Sequence, residues 1–87
     1  MNFSEALIAI KAGCKLGRAG WNGKQMFIYL VQGSRFIVNR KPLTDFYPEG
    51  TEIVYHAHID MKTAQEYCVP WLASQTDLLA MDWERLE

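Results

Sequence analysis

The sequence predicts an α+β fold, one small domain with a twisted, mainly antiparallel sheet and two short helices. Three observations carry that expectation. The opening "NFSEALIAIKAG" repeats apolar residues at helical spacing, "TEIVYHAHIDMKT" alternates as a strand does, and Asn22-Gly23 is a hairpin signal between two apolar runs. With 87 residues and no repeat, linker or low-complexity segment, residues 1–87 are expected to form a single domain.

In chain order, Phe3, Leu7 and Ile10 define the apolar stripe of a helix over about Ser4 to Ala12, with Asn2 or Ser4 as its cap and Gly13 as its stop. Asn22-Gly23 then predicts a type I′ turn joining two antiparallel strands, because both residues accept positive φ at little cost. The second of those strands places Met26, Ile28 and Leu30 on one face and Phe27, Tyr29 and Val31 on the other. One helix covers one face, so the other is expected to meet another subunit. "RFIVNRK" predicts a third short strand after a Gly33-Ser34 turn, and "PLTDFYPEG" a loop broken by Pro42, Pro48 and Gly50. Residues 51–63 read as one long strand, with Ile53, Tyr55, Ala57, Ile59 and Met61 opposite Val54, His56, His58 and Asp60. "EYCVPW" is its expected partner, where Pro70 forces an edge, a bulge or the strand end. A short helix is predicted from Gln75 to Met81, and "DWERLE" closes the chain as a last turn or an edge strand.

Composition narrows the function classes. A chain this size buries only ~60% of the surface that its unfolded form exposes, and neither a disulfide framework nor a zinc site is there to compensate. Cys14 and Cys68 are two free thiols, which fits a reducing cytoplasm, and no apolar run approaches the ~20 residues of a membrane span. Net charge is −1 without blocks of like charge, so the footprint of a general DNA or RNA binder is missing.

Catalytic constellations are weak. His56, His58 and Asp60 begin a His-x-His-x-Asp metal pattern, but Met61 and Lys62 follow where a further histidine is needed, and the chain has 2 His in all. No nucleophile elbow, Cys/His arrangement or Gly-rich phosphate loop is present, so neither a catalytic residue, a metal nor a cofactor is expected, and the chain reads as a binder and not an enzyme. Trp21 beside the predicted turn offers a stacking face, and Trp71 precedes the polar run Ser74-Gln75-Thr76-Asp77. That run reads as a Ser-x-x-Asp capping box, and its hydroxyls also suit a ligand's ribose or phosphate.

"MNFSEALIAIKAGCKLGRAGWNGKQMFIYL", "YPEGTEIVYHAHIDMKTA" and "VPWLASQTDLLAMDW" together resemble the DUF2829 family, which includes the Thoeris anti-defence protein 2 group. The most specific parts are Gly-Trp-Asn-Gly at 20–23, Ile-Asp-Met-Lys-Thr at 59–63 and Val-Pro-Trp-x-Ala-Ser-Gln-Thr-Asp at 69–77. The resemblance implies a homotetrameric sponge in the bacterial host cytoplasm. Such a protein sequesters a cyclic ADP-ribose-type signal, or a cyclic dinucleotide, in pockets where protomers meet. On that reading Trp21 stacks on a base, Asn22 and Gly23 make polar or close backbone contacts, Trp71 lines the pocket, and Ser74, Gln75, Thr76 and Asp77 hold ribose and phosphate. This chain has compact loops after Arg40 and around Gln65, where family pockets draw contacts. The rival reading is a protein-binding accessory module that docks through exposed tryptophans, and a third is slow nucleotide hydrolysis by Asp60 or Asp77.

Overall fold

The computed structural model describes residues 1–21 and 25–87. Helix α1, Phe3–Lys11, begins one residue earlier than its apolar stripe predicts because Asn2 caps it. The Asn2 side chain accepts from the Glu5 N–H at 2.9 Å, and the Glu5 carboxylate accepts from the Asn2 N–H at 3.0 Å. Gly13 ends the helix at φ +98°, a left-handed conformation that releases the Cys14 N–H to the Ala9 carbonyl and turns the chain into the sheet.

Five strands, β1 (Lys15–Arg18), β2 (Phe27–Val31), β5 (His58–Lys62), β6 (Cys68–Pro70) and β7 (Trp83–Leu86), form one antiparallel sheet. Their order across it is β6-β5-β2-β1-β7. Two more, β3 (Ser34–Ile37) and β4 (Glu52–Tyr55), make a separate ribbon, and helix α2 (Gln75–Leu79) lies between β6 and β7. The architecture is therefore the expected α+β arrangement of an antiparallel sheet and two helices. β6 is an edge strand ending at Pro70, as that proline requires, and the chain's last segment is the opposite edge.

Several details differ from the sequence reading. β1 and β2 do pair antiparallel through Leu16 and Ile28, but they are not joined by a bare two-residue turn. β1 stops at Arg18, a 3-10 turn follows over Ala19–Trp21, and β2 starts at Phe27. Asp82 is the reason: its carboxylate accepts the Gly20 N–H at 2.8 Å and its carbonyl accepts the Ala19 N–H at 3.1 Å, so these donors do not go to β2. Asn22 and Gly23, the expected turn and candidate ligand contacts, lie outside the described residues.

The predicted long strand over 51–63 is two strands, and Gly33-Ser34 is no reversing turn. β3 pairs with β4 and not with β2. Both ladders nevertheless share one register: Val31 faces His58, and three steps further along both strands Ser34 faces Tyr55. The ribbon is thus the outer part of a single hairpin whose ladder is interrupted between Val31–His58 and Ser34–Tyr55. Gly33 fits this break by close approach, since a Cβ there would meet the Tyr55 carbonyl oxygen at 2.8 Å and the Ala57 nitrogen at 3.2 Å. Helix α2 also stops at Leu79, two residues short of the predicted end.

The core lies between α1 and one face of the sheet. Ala6, Ile10, Leu16, Ile28 and Trp83 are buried there, flanked by Phe3, Leu30, Ile59, Met61, Trp21 and Trp71. Strand alternation sends Lys15, Phe27, Tyr29, Val31, Asp60, Lys62 and Leu86 to the sheet's other face. The molecule is elongated, 47 × 26 × 25 Å.

Candidate functional site

Trp83 organises the aromatic end of the molecule. It is 2% exposed, with Trp21 edge-on at 5.4 Å, Trp71 edge-on at 6.0 Å and Phe3 tilted at 5.4 Å between ring centroids. Its indole N–H donates to the Asp77 carbonyl at 2.8 Å. Two indoles that sequence reading treats as candidate ligand contacts, Trp21 and Trp71, therefore stand against one buried ring. Both remain half-buried, each keeping surface that is accessible.

The polar run forms the predicted capping box. The Ser74 hydroxyl accepts from the Asp77 N–H at 3.0 Å, and the Asp77 carboxylate accepts from the Ser74 N–H at 3.4 Å. Ser74, Gln75 and Thr76 are exposed, and Asp77 is half-buried. Asp77 has a second partner that periodicity does not reveal. Its Oδ1 lies 2.8 Å from Nη1 of Arg18, whose Nε is 2.8 Å from Oδ1 of Asp82, with the Arg18 side chain 15% exposed. Hydrogen bonds to Asp82 first and Asp77 second raise the Arg18 pKa further, and the Arg18 bond followed by the Gly20 N–H holds the Asp82 carboxyl below its ordinary range.

Beside this network a cavity of about 420 Å³ opens, lined by Lys15, Arg18, Trp21, Phe27, Lys62 and Glu84 among others. The Phe27 ring lies under two ammonium groups, Lys15 Nζ at 4.9 Å and Lys62 Nζ at 5.6 Å from its centroid. Lys62 also pairs with Glu66 at 3.2 Å. Of the candidate residues named from sequence, Trp21 borders this cavity, and Asp77 reaches it through Arg18; Trp71, Ser74, Gln75 and Thr76 lie outside its lining. Lys15, Arg18, Phe27 and Lys62 escaped the sequence reading. The polar alternation of His58 and Asp60 runs on to Lys62, which was a usable signal, but the pairing of Phe27 with Lys62 depends on register and was not.

His58 makes local contacts along its own strand. The His58 Nδ1 lies 3.2 Å from the His56 carbonyl, and its Nε2 lies 3.4 Å from Asp60 Oδ1. That oxygen is buried without a hydrogen-bond partner, so the 3.4 Å approach is a contact that becomes an ion pair when His58 is protonated. Among the described residues no three His, Cys, Asp or Glu side chains converge as metal ligands. On the same sheet face the Tyr29 phenol is pushed up to about 12, first by a hydrogen bond with Cys68, then by burial and by the charges of Cys68 and Asp60.

The chain is similar to Thoeris anti-defense 2 of Bacillus phage SP01, 39% identical over 88 aligned positions that cover 97% of this chain and 92% of that protein. The Thoeris anti-defense 2-like domain matches residues 1–86, and the chain belongs to that family.

Proposed function

We propose that this protein is a phage anti-defence sponge that counters Thoeris-type immunity by sequestering a cyclic ADP-ribose isomer, or a cyclic dinucleotide, without cleaving it. Family membership supports the anti-defence role. The observation that carries the ligand class is the cavity where Trp21 stands at the wall and Lys15 and Lys62 sit over Phe27. Aromatic faces suit a base and paired ammonium groups suit a pyrophosphate, which a cyclic ADP-ribose contains. Sequestration asks for a shaped pocket and slow release, and for no chemistry.

In this reading Trp21 stacks on a base, with Asn22 and Gly23 beside it. Gln75, Thr76 and the hydroxyl proton of Ser74 contact ribose and phosphate, and Trp71 backs them. Asp77 acts mainly by holding Arg18. The complete pocket forms between protomers of a homotetramer in the bacterial cytoplasm, so the exposed run at 74–76 of one chain is brought toward the cavity of another. Docking to a protein through exposed tryptophans finds less support, because Trp83 is buried and Trp21 and Trp71 pack against it.

Mixing the protein with a cyclic ADP-ribose and, separately, with a cyclic dinucleotide, filtering, and then heating the retained fraction tests the reading. A sponge depletes the filtrate and returns intact ligand on heating. Cleaved product would point to an enzyme, and an undepleted filtrate to neither function.

A further inference from the structure

The Trp21 turn and the 74–77 run come from distant parts of the chain, yet one side chain touches the supports of both. Arg18 gives Nη1 to Asp77, the third residue of α2 and half of its capping box, at 2.8 Å. It gives Nε to Asp82 at 2.8 Å, and Asp82 in turn holds the Gly20 N–H at 2.8 Å, one residue before Trp21. A planar guanidinium binds two carboxylates along separate edges, which an ammonium on a flexible stem does not reproduce. The side chain is largely shielded from water, so these bonds are screened less than surface ion pairs.

We propose that Arg18 is a positioning residue, which fixes the Trp21 turn and the 74–77 run of one protomer in one relative geometry before ligand arrives, so that the turn meets its own cavity while the run is held at the right place to reach a neighbouring protomer's. The proposal rests on the reading of those two segments as ligand contacts. Without Arg18 each carboxylate keeps its local bonds, Asp77 to Ser74 and Asp82 to Gly20, so each segment keeps its own shape while their relation loosens. Preorganisation of this kind lowers the ordering cost that binding must otherwise meet.

The test uses the full chain labelled with 5-fluorotryptophan, its 19F resonances assigned through single Trp→Phe variants, together with calorimetry against a cyclic ADP-ribose. In ligand-free Arg18→Lys the Trp21 resonance is expected to shift and broaden while that of Trp71 stays. Affinity should fall about tenfold, the scale of one lost charge-assisted contact. Arg18→Gln, which leaves the Asp82 bond to Gly20 in place but is too short to span both carboxylates, should reproduce the Trp21 change and carries the test if Arg18→Lys does not fold. Ile28→Val, a core variant outside the site, supplies the stability control. If it costs as much affinity as Arg18→Lys per degree of melting temperature lost, Arg18 is merely structural and the proposal falls. It falls equally if the Trp21 resonance and the affinity stay at parent values. A parent that binds neither a cyclic ADP-ribose nor a cyclic dinucleotide would end the sponge reading, while the resonance of Trp21 would still decide whether Arg18 sets the turn.

Discussion

Trp21 meets the buried Trp83 ring with one edge and borders the cavity, so its removal acts on two quantities at once. Trp21→Ala should weaken ligand binding by roughly 1 to 3 kcal/mol, the worth of one stacked base, and calorimetry would read one to two decades in Kd. Thr76 is exposed and contributes nothing visible to the core. Thr76→Ala should therefore cost about 1.5 to 3 kcal/mol of binding, as a phosphate contact, with no change in melting temperature. Parent-like binding by both variants would leave the polar run as a helix cap only. Asp82 offers a pH test. Its folded carboxyl is held below the unfolded value, so the folded state binds fewer protons in acid, and the stability this gives is present above about pH 4 and lost as pH falls through the folded value. Thermal melts between pH 6 and 2 should show that loss, and Asp82→Asn should flatten part of it. At this scale the chain was legible where bonding is local. Asn2, Glu5, Ser74 and Asp77 sit a few residues from their partners, whereas Arg18 is bonded to residues 59 and 64 positions away, which no spacing pattern records.

Helix α2 has five residues, so a cap is a large share of what holds it. Ser74→Ala should lower stability by ~1 kcal/mol, seen as a drop of several degrees in melting temperature, because the Asp77 N–H loses its acceptor. A melting temperature equal to the parent's would show that Arg18 and Trp83 hold α2 without the cap. Elements with their own punctuation were foreseeable: α1 between Asn2 and Gly13, β6 at Pro70, α2 after Ser74. Residues 51–63 misled because alternation is the same on both sides of the break in the ladder. The break at His56-Ala57 is imposed by the opposite strand, where Gly33 brings its backbone against Tyr55 and Ala57.

The molecule as a whole leaves apolar surface unaccounted for within one chain. One sheet face meets α1, while Phe27, Tyr29, Val31 and Leu86 point from the other, and Val54, Tyr55, Leu72, Leu79 and Met81 are all more than half exposed. Such surface in so small a domain motivates association. Light scattering should report about four chains, as the family resemblance implies, and a stable monomer at micromolar concentration would remove any pocket built between protomers. The shared register of the ribbon and the central sheet also bears on how the chain reaches this shape. Closing the loop between Phe27 and Lys62 directly is costly in chain entropy, but a hairpin that starts with Ile37 against Glu52 encloses a shorter loop and can then zip inward past Gly33. Each pair formed brings the next within reach, so the outlying ribbon is the natural place for the long-range ladder to nucleate.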